Sequence, residues 1–134
     1  MPNQQTVMPG EVSLADLATI YWNAKPVRLK DACKSKVAAA QAIVLKAARG
    51  DEAVYGINTG FGKLANTRIA PADVQHLQRN LILSHCCGVG EPLSEDIVRL
   101  AMVLKVMSLG QGATGVRWQL IEHIQNCLAA HVLP

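Results

Sequence analysis

The sequence predicts a mostly α-helical protein of about five helices joined by Gly-rich loops, and three observations support this. Half of the 134 residues are hydrophobic while only 4% are aromatic, an Ala- and Leu-rich balance that suits aliphatic helix interfaces. Apolar residues recur at helical spacing in several stretches, and each stretch is bounded by a capping residue, a Pro or a Gly.

Ser13 followed three residues later by Asp16 reads as a capped start, after which Leu14, Leu17, Ala18 and Tyr21 form one apolar face. This helix must stop before Pro26, and Val27-Arg28-Leu29 reads as a short extended piece. A second helix is expected from about Asp31, with Val37, Ala40, Val44 and Ala47 on one face and Gly50 just past its end. Pro71 and Asp73 suit the first turn of a third helix running toward Gly88, with His85 near its end. Ser94, Glu95 and Asp96 open a fourth, so apolar between Ile97 and Leu109 that burial on all sides is expected. After Gly110-Gln111-Gly112, Thr114 is expected to cap a last helix whose face carries Val116, Leu120, Ile124 and Cys127. The length fits a single unit, though the last two helices are more apolar than so small a unit can bury alone.

A net charge of +3 without a basic run gives no reason to expect a nucleic-acid partner. The polar start, Met1 to Met8, lacks the pattern of a signal peptide, and no uncharged run approaches a membrane span, so a cytoplasmic protein is expected. Cys33, Cys86, Cys87 and Cys127 show no C-x-x-C spacing; reduced, buried thiols are expected, with no metal site.

The chemistry is expected in the stretch Tyr55-Gly56-Ile57-Asn58-Thr59-Gly60-Phe61-Gly62, where three glycines follow an ionisable phenol. Gly at this density serves positive φ, close approach or movement. The spacing from Gly56 to Gly62 is one residue too long for a phosphate loop, and Leu64 stands where Ser or Thr would bind the metal, which argues against nucleotide binding. On composition alone Tyr55 is ordinarily an amphipathic side chain at a loop edge. A phenol works as a base only where its anion is stabilised, and the loop's N–H groups could do that. Ser84 and His85 diverge around a helix by about a hundred degrees, so they form no nucleophile–base pair, and a capped or core histidine is the ordinary reading.

Taken together, this loop, Leu77-Gln78-Arg79-Asn80-Leu81, Ser84-His85-Cys86-Cys87-Gly88-Val89-Gly90, Arg99-Leu100, Leu104-Lys105 and Gly112-Ala113-Thr114-Gly115-Val116-Arg117 have a recognisable order and spacing. They resemble the N-terminal part of the aromatic amino acid lyase family, in its histidine ammonia-lyase branch, from about Leu14 onward. The resemblance implies elimination of ammonia from L-histidine to give urocanate, the first step of histidine breakdown, in a cytoplasmic helical homotetramer. It implies no added cofactor, but a methylidene-imidazolone electrophile formed from an internal Ala-Ser-Gly triplet. This chain has no such triplet. The resemblance puts it shortly beyond Pro134, so the chain is expected to be the N-terminal portion of a longer lyase, inactive alone.

Under the resemblance, Tyr55 is the base that removes the β-proton, and His85, Asn58 and Gly60 are substrate contacts. Gly56, Thr59, Phe61 and Gly62 complete a lid loop. Residues 1–12 are then irregular, 13–93 form the N-terminal helical region with the Tyr loop, and 94–134 begin a central bundle. Met107 stands where the family commonly has Asn, Thr114 where it has Ser, and Cys86-Cys87 where it has small residues, so a tyrosine- or phenylalanine-directed paralogue is an alternative substrate reading. A non-catalytic helical binding module is the alternative from a different class.

Overall fold

The computed structural model describes residues 4–134. Its elements run β1 (Gln5–Val7), α1 (Leu14–Asn23), β2 (Val27–Leu29), α2 (Cys33–Arg49), a 3-10 turn at Gly62–Leu64, α3 (Pro71–His85), α4 (Glu95–Gly110) and α5 (Trp118–Ala129). The chain divides into two compact units: the segment up to Gln41 with Pro92–Pro134, and Ala42–Glu91. The residues on both sides of the middle segment thus share one unit rather than following one another as separate regions.

In the first unit, β1 and β2 pair in parallel with Gln5 opposite Val27 and Val7 opposite Leu29, and α1 makes the crossover. Residues 5–7 therefore depart from the irregular N-terminus expected above; Met1–Asn3 lie outside the described residues. Three residues are too few to show a period of two, and what holds them is tertiary: Val7 is 3% exposed and its carbonyl accepts the Lys30 N–H at 3.0 Å. Ser13 caps α1 as predicted, its hydroxyl accepting the Asp16 N–H while the Asp16 carboxylate accepts the Ser13 N–H at 2.9 Å. That hydroxyl, and then the backbone N–H, hold the Asp16 carboxyl below its ordinary range.

The core of this unit joins Ile20 of α1, Val27 and Leu29 of β2, Val37 of α2, Val103 and Val106 of α4, and Ile121 and Leu128 of α5. Burying such aliphatic side chains contributes about 1.5–3 kcal/mol each. Two helices differ from expectation. In α4 only one face, Val103, Val106, Leu109 and Gly110, is buried, because α1, β2 and α5 cover that side, while Ile97 and Leu104 stay exposed. In α5 the helix begins at Trp118, not after Thr114, since Gly115 takes a φ of +67° that no helix start accommodates. Its buried face is Ile121, Gln125 and Leu128, one residue round from the expected stripe, and Leu120 is exposed. Gln125 is tolerated there because its side-chain oxygen accepts the Leu29 N–H at 2.7 Å.

The cysteines are all free, and only Cys33 is buried; Cys86 and Cys87 are exposed, because the end of α3 has no cover in its unit. Burial pushes the Cys33 thiol up. Met107, where the resemblance expects Asn, is half-buried and packs on the first unit's core.

Candidate active site

Both principal candidates, Tyr55 and His85, belong to the second unit. There α2 ends at Arg49, and its last carbonyls need partners because no further turn follows. Gly50 N–H reaches the carbonyls of Lys46 and Ala47, each at 3.1 Å, and the Arg68 guanidinium donates to the Gly50 carbonyl at 2.9 Å while pairing with Asp51 at 3.3 Å. Asn58 adds a further link: its amide nitrogen donates to Ala47 O at 3.1 Å and Glu52 O at 2.9 Å, and its amide oxygen accepts the Val54 N–H at 2.7 Å.

The chain between these anchors turns tightly, with the Val54 carbonyl accepting the N–H groups of Ile57 at 3.1 Å and Asn58 at 3.2 Å. Gly56, at φ +77°, allows that turn. Beyond it the backbone pairs with a returning segment: Ile69 N–H donates to Asn58 O at 2.8 Å and Gly60 N–H to Thr67 O at 3.1 Å. Gly60 is required by contact, since a Cβ there would sit 2.5 Å from the Leu64 Cβ. Asn58 and Thr59 are at most 1% exposed.

Tyr55 behaves oppositely. It is 62% exposed, its ring edge-on to Phe61 at 5.7 Å between centroids and 71° between planes. An accessible phenol is thus carried on a turn whose next residues are pinned. Asn58 and Gly60, expected as substrate contacts on a moving lid, are buried in this structure and anchor the turn. The sequence signals Gly density but not contact with a carbonyl eleven residues earlier; Arg68, the other anchor, carries no sequence signal at all.

His85 is the last residue of α3 and is exposed. Its Nδ1 lies 2.8 Å from the Leu81 carbonyl and 3.0 Å from the Ser84 hydroxyl, which itself donates to Leu81 O at 3.0 Å. A carbonyl only accepts, so in the neutral ring Nδ1 carries the proton and Nε2 is left as an acceptor. The histidine is neither a core residue nor a base for Ser84. Its polar contacts are within its own helix, and Tyr55 pairs with Phe61.

A cavity of about 410 Å³ in this unit, lined by residues including Ile43, Ala47, Glu52 and Val54, includes neither Tyr55 nor His85. Among the described residues no group of three His, Cys, Asp or Glu side chains could hold a metal ion, and no helix is long and apolar enough to cross a membrane.

The family model described as aromatic amino acid lyase matches residues 12–134. The chain belongs to the aromatic amino acid lyase family. Among curated relatives it is 57% identical over 129 residues to a histidine ammonia-lyase of Roseobacter denitrificans (strain ATCC 33942 / OCh 114), covering 96% of this chain and 25% of that protein. Among solved structures it is similar to the histidine ammonia-lyase of Trypanosoma cruzi, with a TM-score of 0.82 at 29% identity over 95% of this chain and 25% of the other. It is also similar to the ergothioneine-degrading enzyme ergothionase of Treponema denticola, with a TM-score of 0.90 at 26% identity over 98% of this chain and 27% of that one. The chain therefore spans about a quarter of the length of the relatives it matches. The family match accords with the predominantly helical fold and with the lyase resemblance read from the motifs.

Proposed function

We propose that this segment supplies the proton-abstracting base and a ring-recognising histidine of a lyase that eliminates ammonia from L-histidine to give urocanate. The observation that carries the proposal is the accessible Tyr55 phenol on an anchored turn, in a chain 57% identical to a histidine ammonia-lyase. The Tyr55 phenolic oxygen takes the β-proton; the electron pair of that C–H bond becomes the new double bond as the amine departs. Positioning and proton transfer of this kind typically contribute 10²–10⁴-fold. His85 Nε2, an acceptor, matches the N–H of an imidazole ring and finds no partner on a phenyl ring.

The methylidene-imidazolone group of the resemblance would activate the amine as a leaving group; its Ala-Ser-Gly precursor is absent from this chain. The same reading places the enzyme in the cytoplasm as a homotetramer, in which exposed apolar side chains such as Ile97 and Leu104 of α4 are covered by other parts of the assembly. Likeness to ergothionase favours a second substrate class, a modified imidazole amino acid, but at 26% identity it weighs less than the 57% relative.

The test is the complete polypeptide carrying this segment, offered L-histidine, L-tyrosine, L-phenylalanine and ergothioneine. A rise in near-ultraviolet absorbance from urocanate is expected with histidine, and Tyr55→Phe should lower kcat by about 10²–10⁴-fold with the circular dichroism spectrum unchanged. A well-folded wild type that leaves histidine untouched would remove the substrate assignment, and full activity in Tyr55→Phe would remove the base.

A further inference from the structure

We infer that Asn58 is a positioning residue whose side chain ties the Tyr55 turn to the end of α2, so that the base is held by a three-bond clamp rather than by the lid closing over it. The inference rests on the proposed role of Tyr55. All the polar capacity that matters is used: both amide hydrogens go to backbone carbonyls, Ala47 O and Glu52 O, and the amide oxygen takes the Val54 N–H. At 1% exposure the side chain offers nothing to a substrate; its effect on chemistry must pass through the backbone.

Geometry assigns the direction of that effect. Glu52 and Val54 lie on one side of Tyr55 and Asn58 on the other, so the clamp closes a loop of which Tyr55 is the exposed apex. Ala47 belongs to the last turn of α2, where its carbonyl also accepts the Gly50 N–H, so the same side chain gives a helix-end carbonyl a second donor and fixes the loop to a rigid element. A side chain with two donors and one acceptor in a single plane meets all three groups; a carboxylate or hydroxyl of similar size cannot.

The experiment uses the complete enzyme and two variants. Asn58→Ala removes all three bonds; Asn58→Asp keeps the shape and the acceptor for Val54 but turns an acceptor toward two carbonyls. Hydrogen exchange of peptides spanning residues 52–60 should speed up by about tenfold or more in both, with α3 peptides unchanged. The kcat for histidine should fall by about 10–100-fold with KM within about threefold, the split expected when a base is misplaced after binding is intact. A merely structural Asn58 would lower the yield of folded enzyme without that split. Unchanged loop exchange would overturn the clamp, and faster exchange with wild-type kcat would overturn its positioning role. A wild type inert toward histidine whose loop still responds to substitution would instead sink the functional reading and leave the clamp standing.

Discussion

One nitrogen of His85 is committed to the Leu81 carbonyl 2.8 Å away, and that commitment decides what the other can recognise. With Nδ1 donating, Nε2 accepts, and replacing the ring by an aliphatic side chain should remove the preference for a substrate that brings an N–H. His85→Leu is expected to lower kcat/KM for histidine by roughly 10–100-fold, the equivalent of about 1–3 kcal/mol for an unmatched buried polar group, while phenylalanine gains relative to it. Competition assays with the two amino acids on the complete enzyme check this; an unchanged ratio removes His85 from recognition. As candidates, Tyr55 and His85 were not persuasive alone: a lone tyrosine and a helix-end histidine are ordinarily structural. They were singled out by the order and spacing of the surrounding Gly, Asn and Arg residues. The anchoring role of Asn58 was not, because it depends on where the Ala47 carbonyl points, which no local pattern encodes.

At the scale of elements, boundaries set by local chemistry were readable and faces set by packing were not. Ser13 and Asp16 mark the start of α1 by satisfying each other's groups within four residues, and Pro71 marks α3 because its ring fits only a first turn. The buried side of α5 lay one residue away from its apparent stripe, since Gln125 enters the core on the strength of one bond to β2. The glycines at and just beyond the end of α4 yield a quantitative contrast. At Gly110 a new Cβ meets the Leu29 Cδ1 at 2.4 Å, the tip of a side chain that can shift. At Gly112 it meets backbone, the Lys36 carbonyl carbon at 2.7 Å, with φ at +75°. Gly110→Ala should cost about 1–3 kcal/mol by overpacking, and Gly112→Ala roughly 1–2 kcal/mol more because strain adds to a contact that cannot yield. Denaturant midpoints of the two variants check the order; equal losses would show that the α2 backbone moves aside.

For the molecule as a whole, the first unit is built from both ends of the chain, and the Tyr21 phenol of α1 donates to the Asp96 carboxylate at the start of α4. The Ser94 hydroxyl, and then the Tyr21 phenol, bring the Asp96 carboxyl from an ordinary 3.8 to about 2. The same bond, followed by burial, raises the Tyr21 phenol above 10.0. A lowered carboxyl stabilises the fold above its unfolded value and ceases to as pH falls, here from about 4 to about 2. A raised phenol stabilises below 10.0, and that contribution is lost as pH climbs through its higher folded value. Tyr21→Phe should therefore reduce stability on the plateau between these limits and flatten both flanks, as thermal melts across pH would record; identical profiles would show the bond to be idle.

The split composition of the first unit also dictates an order of events during synthesis. Helix α1 finds its partner α4 only after residues 42–91 have been made, so its apolar face must wait while the whole middle segment emerges. Closing so long a chain segment carries an entropic cost that grows only with the logarithm of its length, but the contact cannot form early. The turn bearing Tyr55 suffers no such delay: its anchors at residues 47, 52 and 54 are near neighbours in sequence. The part that carries Tyr55 is thus free to take shape before the part that forms the larger core, and a nascent chain halted before α4 would present the sticky side of α1 to chaperones.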